Sequence, residues 1–201
     1  MKDSTCVAVG ILIGAGLLII GGWFSSPDLT KAATDTVGLN ADITTSVSCS
    51  TALAQTGFET LTTSAIFTAT STATTTMACN YALGCTLYVK DAGNTSNPGL
   101  YSAGAGDLIN SSAATLSAGS EGYGIQAATT TAGTGVELLI DAAYKKTGDD
   151  VGALATTNQT LTSAASTFDS KETVVTFKAA ISGVNKPGNY VDTITFECLG
   201  N

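Results

Sequence analysis

The chain has 201 residues and a formal charge of −8, from 16 acidic residues against 8 lysines, with no histidine and no arginine. Without imidazole there is no Ser-His or Cys-His dyad and no histidine metal site; without guanidinium there is no bidentate fork for phosphate or base edges, and an acidic surface repels nucleic acid. Ala, Gly, Ser and Thr fill 103 positions while charged residues make only 12%, so the chain reads as one small-residue domain plus an appendage, long enough for a packed core.

The appendage comes first. Lys2 and Asp3 are the only charges in residues 1–27, and Cys6 to Phe24 is apolar throughout. At 1.5 Å per residue, residues 4–24 reach about 30 Å, the hydrocarbon thickness of a bilayer. Trp23 and Phe24 form an interfacial belt at its far end, and Pro27 stops the helix. The pattern predicts a hydrophobic membrane or assembly helix over 1–27, with a cytoplasmic N-terminus and everything beyond Phe24 exported. Gly10, Gly14 and Gly21 fall on one side of this helix, and Gly10-Ile-Leu-Ile-Gly14 is a GxxxG step that lets backbones approach. Five glycines in one span, each costing about 1 kcal/mol relative to Ala, favour packing against copies of itself. A lone membrane anchor and a cleaved signal peptide are the competing readings. The second is weakened because Asp3 cancels Lys2 and no clear Ala-x-Ala site follows.

Residues 28–39 read as a linker, and 40–201 as an exported β domain. Alternation predicts strands in Ala41 to Ser48, Ile66 to Thr76, Thr86 to Lys90, Gly124 to Ala127 and Val136 to Ile140. It is strongest in Thr173 to Ile181 and Tyr190 to Phe196. Turn signals recur at Asp91-Ala-Gly-Asn, Asn97-Pro-Gly, Gly104-Ala-Gly-Asp and Thr147-Gly-Asp-Asp. Short strands at this spacing predict a mainly β fold, a sandwich of Ig-like or jelly-roll-like kind or a partly closed barrel.

Five cysteines occur, Cys6, Cys49, Cys79, Cys85 and Cys198, and in an exported domain disulfides are the default. Four cysteines allow three pairings. The short Cys79–Cys85 spacing and the placement of Cys49 and Cys198 near the first and last strands favour 79–85 with 49–198. Cys6 is left in the apolar span as a small packing residue. No metal site is expected, because Cys79-x5-Cys85 lacks CxxC spacing and no histidine supports it. Asp141, Asp149 and Asp150 lack the Asp-x-Asp-x-Asp-Gly calcium pattern and read as solvated turns. Gly104-Ala-Gly and Gly133-Thr-Gly open no helix and read as loops rather than phosphate cradles. No cofactor is implied, and no spacing of carboxylates picks out a catalytic pair.

Cys85-Thr-Leu-Tyr-Val-Lys-Asp-Ala-Gly-Asn, Gly99-Leu-Tyr-Ser and Thr115-Leu-Ser-Ala-Gly-Ser-Glu-Gly-Tyr-Gly-Ile-Gln-Ala127 resemble a β-rich exported domain of surface proteins from candidate-phyla (Patescibacteria) bacteria. The tail, Thr173 to Phe196, is similar to the closing hairpin of such domains. Cys85 stands where the family commonly has an aromatic. The resemblance covers about a third of the chain and implies an exported sandwich with no catalytic residue to carry over. A hydrophobic helix followed by a β-sandwich also looks like the layout of pilins and archaeal flagellins. Bacterial type IV pilins usually carry Glu at the fifth mature position; this chain has Thr5, and Asp3 could instead neutralise a neighbour's amino group. The expected function is a pilin-like structural subunit of an extracellular filament, not an enzyme. It would be a homo-oligomer that resides in the membrane before assembly, with no nucleic-acid partner. The alternative is a single-pass membrane-anchored adhesin or binding domain.

Overall fold

In the computed structural model the described residues are 40–52 and 56–201. The expected helix over 1–27 and the linker 28–39 lie outside them. All the strands belong to one compact unit, Asp42–Asn201.

The described residues hold fourteen strands and no helix: β1 (Val47–Thr51), β2 (Phe67–Thr68), β3 (Ala73–Cys79), β4 (Cys85–Asp91), β5 (Gly99–Ser102), β6 (Asp107–Asn110), β7 (Ala114–Thr115), β8 (Gly122–Thr129), β9 (Thr134–Gly135), β10 (Leu139–Ile140), β11 (Asp150–Val151), β12 (Gln159–Ser163), β13 (Phe168–Ala180) and β14 (Ile194–Gly200). The fold is mainly β. A first sheet is built on β13, with β3 and β2 along one side and β8 and β9 along the other; β1 extends it beyond β3. A second sheet runs β10-β12-β4-β14. Two small antiparallel pairs, β5–β6 and β7–β11, stand outside these.

β13 is the spine because its β-branched alternation suits a strand paired on both sides. Lys171, Thr173, Val175, Phe177 and Ala179 are buried, while the residues between them are half-exposed. A bulge between Phe168 and Lys171 sets Ser170 at φ 54° and ends the regular pairing. β3 buries every second residue, Ala73, Thr75, Met77 and Cys79. From the second sheet come Leu87 and Val89 of β4 and Leu161 of β12, and all join one core with Met77, Ile125, Val175 and Phe177. The core also admits hydroxyls: Thr162 and Thr173, both fully buried and on opposite sheets, hydrogen-bond to each other at 3.2 Å.

The two sheets are tied covalently twice. Cys49 of β1 pairs with Cys198 of β14, and Cys79 of β3 pairs with Cys85 of β4. Each bond links the first sheet to the second. The five-residue connection inside the shorter loop turns at Gly84 (φ +80°), where a Cβ would stand 1.9 Å from the Ala164 carbonyl oxygen; only glycine fits there.

Four sequence expectations need correction. The tail is not a closing hairpin: β13 lies in the first sheet and β14 in the second, paired with β4 from Ile194↔Asp91 to Gly200↔Cys85. The first strand begins at Val47 rather than Ala41, and the stretch Ile66 to Thr76 is broken into β2 and β3. Val136 to Ile140 shrinks to the two residues of β10.

The two disulfides close loops of very different length, with sequence separations of 149 and 6. On the chain-entropy account, Cys49→Ala with Cys198→Ala lowers unfolding free energy by about 5 kcal/mol, and Cys79→Ala with Cys85→Ala by about 2 kcal/mol. Denaturant titration of the two double variants checks that order.

Candidate functional site

A cleft of about 1030 Å³ opens beside the core. Leu100, Ile109, Tyr123 and Phe177 form its floor, and the segments 56–61 and 185–193 form its walls. Phe58 stands edge-on to Tyr123 with ring centroids 6.4 Å apart, the arrangement favoured by aromatic quadrupoles.

The wall 182–190 has no regular partner strand, so side chains fix it. The Tyr190 hydroxyl donates to Asp107 Oδ2 (2.5 Å) and lies 2.7 Å from the Lys186 carbonyl oxygen; the Lys186 amide donates to the same carboxylate (2.8 Å). Asn185 Nδ2 donates to Glu121 Oε2 (2.7 Å), and Glu121 Oε1 receives the Asn110 amide (2.9 Å). The Tyr190 hydroxyl and the Lys186 amide hold Asp107 below the usual carboxylate range. Tyr190 is raised to about 12, by desolvation first and then by Asp107.

A second group adjoins Asp192, which lines the cleft. Asp91, the last residue of β4, is 2% exposed, and neither of its carboxylate oxygens has a hydrogen-bond partner. Asp192 faces it as a second acceptor, so a hydrogen bond between the two closes only when one is protonated. The Gly93 and Gly99 amides pull weakly the other way without completing a bond. Asp192 itself is held firmly: Oδ1 receives the Thr193 amide (2.7 Å) and the Gly93 amide (3.3 Å), and Oδ2 receives the Tyr123 hydroxyl (3.1 Å). Burial, followed by the Asp192 charge, pushes Asp91 up from 3.8 to about 7. Burial also drives the Tyr123 phenol well above its ordinary value, with the two carboxylates adding to the effect.

No family model, curated protein or solved structure matches this chain. An apolar aromatic floor with a few fixed polar groups suits binding.

Of the residues singled out in the sequence, Cys49, Cys198, Cys79 and Cys85 are brought together as two sheet-to-sheet bonds. Gly10, Gly14, Gly21, Asp3, Trp23, Phe24 and Cys6 lie outside the described residues. The three turn aspartates are occupied separately. Asp141 Oδ1 receives the Ala143 amide (2.8 Å), Asp149 pairs with Lys178 (3.0 Å), and Asp150 receives the Thr115 hydroxyl. Asp91, Asp192 and Tyr123 carry no sequence signal that sets them apart. Asp91 was legible only as the start of a turn, and its neighbour lies 101 positions away by the β4–β14 pairing.

An aspartate whose folded pKa is raised binds its proton more tightly folded than unfolded, so its contribution is complete at low pH and is lost as pH rises. For Asp91 the window runs from 3.8 to about 7. In metal-free buffer, thermal stability followed by circular dichroism should fall between about pH 4 and pH 7, and Asp91→Asn should flatten that slope. An unchanged slope in the variant would assign the titration elsewhere.

Proposed function

We propose that the chain is a pilin-like structural subunit of an extracellular filament. In this reading, residues 4–24 form a helix that leaves the membrane and bundles with neighbours as a dry core, Gly10, Gly14 and Gly21 allowing close approach. Asp3 neutralises a neighbour's amino group, and Trp23 with Phe24 marks the membrane boundary before assembly. The β domain, a sandwich of Ig-like or jelly-roll-like kind, forms the outer sleeve. The polymer serves attachment, contact or motility at the cell surface, and the protein is not an enzyme.

The observation that carries this reading is the division of the chain. Residues 1–27 are net neutral and glycine-seamed, while residues 28–201 hold 7 lysines and 15 acids and include two sheets linked by two disulfides. Disulfides suit an oxidising, extracellular setting. An acidic surface resists random association.

A membrane-anchored adhesin or binding domain is the second reading, and the 1030 Å³ cleft favours it. Glycine packing separates the two. Gly14→Leu should abolish helical polymers in electron micrographs of exported material while membrane retention persists. If wild-type material is only detergent-soluble monomer, the filament reading is wrong.

A further inference from the structure

We propose that Asp91 and Asp192 form a binding site for a hard divalent cation, best suited to Ca²⁺. Asp91 is buried with both carboxylate oxygens unpartnered, and a second carboxylate faces it across the junction of β4 and β14. A shared proton engages one oxygen of Asp91 and leaves the other bare. A cation bound through both oxygens satisfies the whole group.

The surroundings fit that role. Asp192 is held in place by the Gly93 and Thr193 amides and by the Tyr123 hydroxyl, so its remaining lone pairs are presented without further ordering. Among the influences acting on Asp91 there is no ammonium group. Strand alternation turns the Lys90 side chain to the other face of β4 from Asp91, although both residues line a second cleft of about 270 Å³ with Ala92, Thr95, Thr156 and Thr195.

The donor set decides the class of ion. Both side-chain donors are hard carboxylates, and the chain contains no histidine, so the donor set suits hard ions rather than those that favour imidazole or thiolate. No cluster of three or more His, Cys, Asp or Glu stands among the described residues, so water and backbone oxygens complete the shell. Ca²⁺ tolerates such an irregular shell and bidentate carboxylates, whereas Mg²⁺ demands near-octahedral order. Two protein carboxylates place the dissociation constant at about 10⁻⁴ to 10⁻³ M.

The test uses the full-length chain in non-ionic detergent at pH 8, stripped of metal and titrated with CaCl₂ by calorimetry and thermal unfolding. One saturable site per chain is expected, with an unfolding midpoint raised by about 4 °C at 10 mM Ca²⁺ and less by MgCl₂. Asp91→Asn should remove the Ca²⁺ response and raise the midpoint of the calcium-free protein. Asp149→Asn, at an exposed acid paired with Lys178, should keep the wild-type response. If Asp91→Asn does not fold, Asp192→Asn should weaken Ca²⁺ binding at least tenfold. A wild type with no saturable response overturns the proposal and leaves a shared proton between the two aspartates; a response that survives both variants overturns it too.

Discussion

Holding two sheets in a fixed alignment is the constraint on which the rest of this domain rests. Its interior mixes small side chains with large ones. Ala69, Ala73, Ala127, Ala164, Ala179 and Ala180 are buried among a larger set of Leu, Ile, Val and aromatic residues. Alanine and threonine bury less apolar area per residue than leucine, and burial drives folding in proportion to area. Buried hydroxyls would oppose folding unless bonded. Thr75 meets this by pairing with Thr51 at 3.0 Å, and Thr162 with Thr173 reaches across between the sheets. Such a bond tolerates little sliding. Two disulfides running from one sheet to the other restrict sliding and also reduce the freedom of the unfolded chain, so such a core can still specify one arrangement.

Charge enters this interior at two places, with opposite outcomes. Lys171 is 3% exposed, yet its ammonium lies 2.6 Å from Glu137 Oε1, and that carboxylate reaches solvent. The pair is compensated, and breaking it would leave a buried cation. Asp91 has no such partner; the charge that acts on it is of the same sign. A group arranged this way works against stability at neutral pH. Desolvation combined with a specific charge partner at the edge of a cleft is the pattern of functional rather than architectural carboxylates.

Much of the domain was legible from the sequence. β4 and the long β13 follow from Val/Thr alternation, since each has one face on the core and one turned away. The pairing of Cys49 with Cys198 could be reasoned from their places near the first and last strands. Sheet membership could not. β13 and β14 look like a hairpin because a turn-rich segment joins them, but that segment is long enough to carry the chain across to the other sheet, and the register of β14 is set by β4. β12 was missed because Gln159-Thr-Leu-Thr-Ser alternates weakly, and its burial is decided by β4 beside it. The Asp91–Asp192 pair was hidden for the same reason. Period and spacing describe neighbours in sequence, whereas this cluster is created by cross-strand register.

Covalent closure also governs how the domain bears load. The chain enters the described unit before β1, and Cys49 is the third residue of that strand. A pull arriving from the N-terminal side therefore meets the Cys49–Cys198 bond after only two strand residues. Force directed toward the C-terminus passes through that bond to β14, and the residues between the two cysteines lie off the path. Force leaving sideways, through contacts on the outer face of either sheet, must be carried between the sheets. There the same bond and Cys79–Cys85 both cross. Hydrogen bonds between strands yield one by one when peeled from an edge, but β1 cannot leave β3 without dragging β14, and through it β4, along with it. In the proposed filament, and equally in the membrane-anchored alternative, load would reach the domain from this end. The cross-sheet bonds are therefore as informative about mechanical setting as about redox compartment.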